Sequence, residues 1–279
     1  MPESEKPEIA VAAANFSHVF PLQVFKYIEA CAGNEFAIKQ VSTFGMADSE
    51  ADRLKKLIEK SRPAGLICIS LAPPKELLEL YRESSVPVVL IDEQVDGFTT
   101  ITTDNMAGGQ IAAEYLVKIK RKKAAVISGR LNVEGSYNAQ QRFAGFKRVL
   151  ASYGIKFIDA HLTEVINYAY NEGTESFDRF MKEKLDIDAI FCAAGDMCAL
   201  GVIKSAREYK VPIPEQVALI GYDDIEAAKT SKPALTTIRQ PIELMAQKAF
   251  ELIVNEKDNL LMSGRKVVFK PELVKRDSA

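Results

Sequence analysis

Two carboxylates and one guanidinium stand where they could bind a small polar molecule. Asp196 and Asp223 each follow an apolar run that is predicted to be a strand, Ala189–Cys192 and Val217–Ile220. In an open α/β sheet, ligands bind at the carboxyl ends of the strands. Arg142 lies at the start of a predicted helix, and its guanidinium offers five N–H donors in a fixed plane, which suits hydroxyl or carboxylate groups. These three side chains predict a binding site.

The residue patterns of catalysis, metal binding and cofactor binding are missing from the sequence. It contains no G-x-S-x-G elbow, no phosphate-binding loop and no G-x-G-x-x-G fingerprint. His18 and His161 lie in separate parts of the chain, and neither has Cys or carboxylate residues at metal-ligand spacing. We therefore expect no enzymatic activity, no metal and no cofactor.

The elements that must position the three side chains follow one repeating pattern. Continuous apolar runs, such as Ile9–Ala14 and Gly65–Ile69, alternate with segments of helical periodicity, such as Asn138–Tyr153 and Ile242–Val254. Runs that are apolar throughout are typical of parallel strands buried on both faces. The pattern predicts an α/β fold with parallel sheets, in which the basic turn Lys118–Lys123 separates two series of units.

Composition narrows the possible classes of protein. The chain has 279 residues, 47% of them apolar, which is enough for two α/β lobes, and its net charge is −2. It has no basic excess of the kind that binding to a phosphate backbone requires. Four cysteines without C-x-x-C spacing, a polar start and no apolar run long enough to span a membrane favour a cytoplasmic protein that does not contact membranes.

Six segments match, in order, the motifs of one protein family. They are Val88–Asp92, Thr103–Gly109, Ile127–Gly129 followed by Arg142–Phe146, Gly221–Asp224, Leu235–Pro241 and Glu272–Ser278. Each segment alone would be weak evidence, whereas six in register cover nearly the whole chain. Together they resemble the effector-binding and dimerisation part of the LacI/GalR family of bacterial transcription regulators.

The resemblance implies two Rossmann-like lobes with parallel sheets, the periplasmic-binding-protein type I fold, crossed by the chain three times. It places the crossings near Lys120, Gln240 and Val267. The expected N-terminal lobe is residues 8–119 with 241–266, and the expected C-terminal lobe is residues 120–240 with 267–279. Full-length members begin with a DNA-binding helix-turn-helix, and only eight residues precede Ile9 here, so we expect that module to be absent from this chain.

The resemblance also assigns ligand contacts in the second lobe. Arg142 matches the main ligand arginine of the family, although a surface salt bridge is the alternative. Asp223 could accept paired hydroxyls, and Asp196 could do the same, but Asp is also a preferred helix cap and either residue could serve as one. Tyr168 aligns with an aromatic residue that packs on the ligand, with Tyr170 as the alternate. Gln240 is a candidate at a lobe crossing.

The first lobe is expected to supply the remaining contacts. Asn15, Phe16 and Phe20 follow the first strand, and Ser70 ends the third. Asn15 offers an amide, whereas the two phenylalanines offer apolar faces that could equally be part of the core. The donors and acceptors favour a carbohydrate over a purine, because a purine calls for more aromatic walls.

The predicted function follows from these assignments. A small-molecule effector, with carbohydrate favoured, would bind in the cleft between the lobes of a cytoplasmic homodimer and control operator binding allosterically. Operator DNA would be contacted only through the helix-turn-helix. Two alternatives stay open, namely a stand-alone or periplasmic-type sugar-binding protein and a regulator controlled by a protein partner.

Overall fold

The computed structural model describes residues 6–43, 47–133, 135–256 and 264–279. In chain order, the helices and strands are β1 (Glu8–Ala13), α1 (Val19–Ala32), β2 (Ala37–Ser42), α2 (Ala47–Lys60), β3 (Gly65–Ile69), α3 (Lys75–Glu83), β4 (Val88–Ile91), β5 (Thr99–Thr103), α4 (Asn105–Lys118), β6 (Ala124–Gly129), α5 (Tyr137–Ser152), a short 3-10 helix (Asp159–His161), β7 (Leu162–Val165), α6 (Tyr170–Lys182), β8 (Ala189–Cys192), α7 (Asp196–Glu208), β9 (Ala218–Asp223), α8 (Glu226–Thr230), β10 (Thr236–Arg239), α9 (Ile242–Asn255), β11 (Lys266–Phe269) and β12 (Glu272–Val274).

These elements form two α/β units, and the chain passes from one to the other three times. The first unit contains residues 1–103 and 241–269, and the second contains residues 104–240 and 270–279. Each unit holds one six-stranded sheet.

The first sheet has the strand order β11-β5-β4-β3-β1-β2, and all of its pairings are parallel. Successive residues of β1 point to opposite faces. Ile9, Val11 and Ala13 join a core with α1 and α9, whereas Ala10 and Ala12 join a second core with α2 and α3. Both faces are therefore buried, which explains why β1 is apolar at every one of these positions.

The second sheet has the order β12-β10-β9-β8-β6-β7. Every pairing is parallel except that of β12, which lies antiparallel to β10. Helices α4 and α5 pack against each other, as do α6 and α7. Because β6, β8 and β9 are neighbours and run in the same direction, their carboxyl ends meet at one edge of the sheet.

Two of the predicted boundaries differ from those of the structure. Helix α4 belongs to the second unit, because it packs along α5, so the first crossing follows Thr103 rather than lying near Lys120. Strand β11 belongs to the first unit, because it pairs with β5, so the third crossing follows Phe269 rather than lying near Val267. The second crossing follows Gln240. Among the described residues, no helix is long and apolar enough to cross a membrane.

Candidate functional site

Arg142 lies at the centre of a buried polar network in the second unit. Its Nε donates to Asn105 Oδ1 at 2.7 Å, and its Nη1 donates to the carbonyl of Ala193, just after β8, at 2.9 Å. The centre of its guanidinium lies 3.7 Å from the centroid of the Tyr222 ring, and only 7% of the residue is exposed. Arg142 is thus a buried, fixed cation and not part of a surface salt bridge.

Asn105, the first residue of α4, makes two more hydrogen bonds in this network. Its Oδ1 also accepts from the Tyr222 hydroxyl at 3.2 Å, and its Nδ2 donates to Asn138 Oδ1 at 2.8 Å. Our sequence reasoning did not assign Asn105 or Tyr222 to the site. The available signal was their place in the family motifs Thr103–Gly109 and Gly221–Asp224.

Asp223 occupies the carboxyl end of β9 in a conformation that is uncommon for residues other than glycine. Its φ is +106°, and Asp224 follows with a φ of +60°. Backbone strain of this kind concentrates at functional sites. Asp223 Oδ1 accepts from Gln240 Nε2 at 2.8 Å. The alternative role of Asp223 was to cap the next helix, α8. The residue before α8 is Ile225, and no side chain caps that helix, so Asp223 does not have this role.

Gly195, at the N-terminus of α7, allows the close approach of Asp223. Its φ is +117°, and a Cβ there would lie 2.9 Å from Asp223 Oδ2. A side chain at position 195 would therefore crowd this carboxylate, and glycine leaves room for it.

Asp196 is an interior residue of the second unit. It has no exposed surface, its Oδ1 accepts from the Thr237 hydroxyl at 2.6 Å, and its Oδ2 accepts from the Ile225 N–H at 2.9 Å. Burial, and then the nearby Asp223, raise its pKa well above the ordinary value. Its carboxyl group therefore links β10 and the loop after β9 to α7, instead of capping α7.

Gln240 and Ser128 carry polar atoms that have no protein partner within the described part of the chain. They are the Gln240 Oε1 and the Ser128 Oγ. Gln240 is 3% exposed and Ser128 is fully buried. Because buried polar atoms without partners cost free energy, such atoms beside Asp223 and at the end of β6 are positions where a ligand or water would compensate.

Tyr168 lies in the loop between β7 and α6. It is 41% exposed, its φ is +54°, and its hydroxyl lies against Gly129 at the carboxyl end of β6. Tyr170, the alternate, is the first residue of α6 and is 38% exposed. Tyr168 is thus the aromatic residue that reaches the rim of the sheet.

The first unit places Asn15, Phe16 and Phe20 after β1, but in different environments. Asn15 is exposed, and its Oδ1 accepts from the Ser17 N–H at 2.8 Å. Phe16 is 6% exposed and packs edge-on against Phe25. It is therefore a core residue, which was the alternative to a ligand contact. Phe20 is half-buried and packs against the same core.

Ser70 and Asp92 meet at the carboxyl ends of β3 and β4. The Ser70 hydroxyl donates to Asp92 Oδ2 at 3.1 Å, and both residues have positive φ angles, of 46° and 64°. Burial, and then the neighbouring Asp92, raise the pKa of Glu93 to about 8. The sequence predicted Ser70 as a site residue but did not predict Asp92 or Glu93. Within the described ranges, no three His, Cys, Asp or Glu residues are grouped so as to hold a metal ion.

The match to a known family covers most of the second unit and the part of the first unit that follows Gln240. The family described as "Periplasmic binding protein-like domain" matches residues 113–279. The chain belongs to this family. The matched residues make up more than half of its length.

The relatives of this domain are transcriptional regulators. The regulator CelR of Thermobifida fusca is 26% identical over 252 residues, which are 88% of this chain and 72% of the relative. The repressor PurR of Vibrio atlanticus is 28% identical over 277 residues, 97% of this chain and 80% of the relative. The ribose operon repressor of Escherichia coli K12 is 27% identical over 256 residues, 90% and 75% of the two chains. The predicted membership of the LacI/GalR family, in its effector-binding part, is thereby confirmed.

Solved structures confirm the predicted fold class. The CelR–cellobiose complex superposes with a TM-score of 0.84 at 22% identity, covering 98% of this chain and 84% of that one. A lac repressor dimer bound to operator and the anti-inducer ONPF superposes with a TM-score of 0.82 at 21% identity, covering 99% and 94%. At such identities the likeness establishes the fold alone.

Proposed function

We propose that this domain senses a small polyhydroxylated molecule, with carbohydrate as the favoured class, and so controls the operator binding of a LacI-family regulator. The observation that carries the proposal is the polar rim of the second sheet. A fixed guanidinium, a strained carboxylate and two buried polar atoms without protein partners in the described chain meet there. These donors and acceptors match a ligand with several hydroxyl groups.

The proposed roles follow from the contacts. Asp223 accepts hydroxyl hydrogens, Gln240 Oε1 accepts one more, and Arg142 donates. Tyr168 covers an apolar C–H face of the ligand. Asp196 positions the loop that carries Asp223 and is not assigned a ligand contact, since both of its carboxyl oxygens already accept hydrogen bonds, from Thr237 and Ile225.

On the first unit by itself, the candidate ligand residues are Asn15, Ser70, Asp92 and Phe20. Ser70 and Asp92 share a hydrogen bond at a strand end, and Asn15 is exposed after β1. The names of two relatives support a sugar, since one is a ribose operon repressor and another is solved with cellobiose.

A ligand of this kind acts only through its difference in affinity between two states of the regulator. By linkage, the state that binds the effector better becomes more populated when effector is present. The operator affinity of that state then determines how the regulator responds. Whether the effector induces or co-represses depends on which state it favours.

The test is thermal unfolding against pentoses, hexoses, disaccharides, sugar phosphates and nucleobases. A ligand at a hundred times its Kd stabilises the folded state by about 2.7 kcal/mol. Asp223→Asn should remove most of that shift, because the amide loses an acceptor while tolerating a positive φ. Asp186→Asn is the matched control, since Asp186 precedes β8 at the amino end of the strand and its side chain is 79% exposed.

Arg142→Ala is a less informative variant. Arg142 packs on Tyr222 and bonds to two further residues, so its removal lowers stability whether or not it binds a ligand. A shift that survives in Asp223→Asn would contradict the proposed site. No shift with any compound would contradict a sugar effector and favour control by a protein partner.

A further inference from the structure

The loop that carries Tyr168 is held in a strained conformation. Tyr168 has a φ of +54°, a region that bulky residues rarely occupy. Such a conformation persists only where surrounding contacts over-determine it. The loop runs from Ile166 to Ala169 between β7 and α6, and the side chain of Ile166 is exposed, so packing of that side chain does not fix the loop.

One carboxylate binds the backbone on both sides of Tyr168. Glu172 Oε1 accepts from the Ile166 N–H at 2.8 Å and the Asn167 N–H at 3.1 Å, and Glu172 Oε2 accepts from the Asn167 N–H at 2.9 Å and the Ala169 N–H at 3.0 Å. Three of the four backbone N–H groups of the loop thus converge on one side chain. Hydrogen bonds to a charged acceptor are the stronger kind.

The ionisation of Glu172 agrees with this arrangement. Burial acts to raise its pKa, but hydrogen bonds from the N–H groups of Ala169, Ile166 and Asn167, together with the Asn167 side chain, outweigh burial, and the net pKa is lowered. The charged form is therefore the one that the loop stabilises. Glu172 also lies in the first turn of α6, where a negative charge complements the helix dipole.

The conformation that Glu172 holds brings Tyr168 to the rim of the sheet. The Tyr168 hydroxyl lies so close to Gly129 that any Cβ at that position would collide with it. Gly129 ends β6, the strand whose carboxyl end adjoins that of β8. The ring consequently lies at the edge of the sheet where Arg142 and Asp223 also lie.

We infer that Glu172 is the positioning residue for Tyr168: its carboxylate fixes the 166–169 backbone so that the ring stands at the second-sheet rim before any ligand arrives. The inference rests on the proposed function only in taking Tyr168 as a ligand contact. Pre-positioning of this kind lowers the entropic cost of binding.

A fluorescent probe can test this in the protein without ligand. The chain contains no Trp, so Tyr168→Trp introduces a single reporter at the position in question. In that background Glu172→Ala removes all four bonds, and Glu172→Gln retains only one accepting oxygen. Glu175→Gln is the matched control, because Glu175 is exposed on the same helix and accepts from Asn171 rather than from the loop.

Time-resolved anisotropy of the introduced indole reports the motion of the ring. Its sub-nanosecond component should about double in Glu172→Ala and rise partway in Glu172→Gln, while Glu175→Gln matches the parent. Amide hydrogen exchange at residues 166, 167 and 169 of the chain with native Tyr168 should accelerate roughly tenfold in Glu172→Gln. Accelerated exchange with unchanged anisotropy would overturn the inference, since the loop would then be loosened without releasing the ring. Unchanged exchange would also overturn it, by showing that the carboxylate does not hold the loop.

The outcome is separable from that of the proposed function. These measurements need no effector, so they can succeed even if every compound in the thermal panel fails. Conversely, a sugar that stabilises the parent chain but binds Glu172→Gln equally well would leave the proposed function intact and contradict the role of Glu172 in the site.

Discussion

At the scale of single residues, partners that are distant in sequence decide what a carboxylate can do. Asp196 comes soon after β8 and Asp223 ends β9, and the two local sequence patterns are alike. Asp196 accepts from Thr237 and Ile225, which are 41 and 29 residues away, and is fully buried. Asp223 is held by Gln240, whose second amide atom has no protein partner in the described chain. Both carboxyl oxygens of Asp196 are therefore engaged inside the second unit, whereas Asp223 lies beside a buried polar atom that a ligand could reach.

The raised pKa of Glu93 predicts an unusual dependence of stability on pH. Its pKa is about 8 in the folded chain against an ordinary value of 4.5, so the folded state binds the proton more tightly than the unfolded state. By linkage, the free energy of unfolding falls as pH rises from about 4.5 to about 8. Glu93→Gln should remove this loss and raise Tm at pH 8.5 by a few degrees, since each kcal/mol corresponds to roughly 2–4 °C in a protein of this size.

Scanning calorimetry at pH 5.0 and pH 8.5 gives the comparison. The gain in Tm from Glu93→Gln should be larger at the higher pH. Asp96→Asn serves as control, because Asp96 is exposed on the same loop and its replacement removes the same charge. An equal effect of Glu93→Gln at both pH values would show that its carboxyl group titrates normally.

At the scale of elements, the approach of α4 to α5 is what brings Asn105 to Arg142. A Cβ on Gly109 would overlap the backbone carbonyl of Arg142, and a Cβ on Gly145 would overlap that of Met106. Gly109→Ala should therefore destabilise the chain by about 2–4 kcal/mol, although alanine is intrinsically the better helix former. Urea unfolding measures this as a lower midpoint.

The control for this helix is Glu114→Ala, on the exposed face of α4, which should change stability by less than about 0.5 kcal/mol. If Gly109→Ala were as stable as the parent, the two helices could not be in backbone contact. In that case the buried Arg142–Asn105 hydrogen bond would need another explanation.

The sequence predicted most of the elements because their signals are local. Apolar runs identified β1, β3 and β8, and helical periodicity identified α5 and α9 to within about one residue at each end. Our predictions did not include β5 or β7. Their sequences are Thr-rich or carry Glu, so they lack the apolar run of a buried strand.

The site was less predictable than the fold, for a physical reason. Motif positions pointed to Arg142, Asp223, Gln240 and Tyr168, and the structure places all four at the rim of the second sheet. The burial of Asp196 and Phe16 depends on contacts between elements, which no local pattern encodes. The crossing after Thr103 was misplaced for the same reason, since only the packing of α4 on α5 assigns that helix to the second unit.

At the scale of the whole molecule, we predict a homodimer. LacI-family operators are two-fold, and a symmetric site on DNA is matched by a symmetric pair of subunits. Sedimentation equilibrium should therefore give about twice the chain mass of 30.8 kDa at micromolar concentrations. Because association stabilises the folded state by mass action, Tm should also rise with protein concentration. A mass of one chain at every concentration, with a constant Tm, would contradict the dimer and would mean that an effector signal in this domain is not transmitted through a subunit interface.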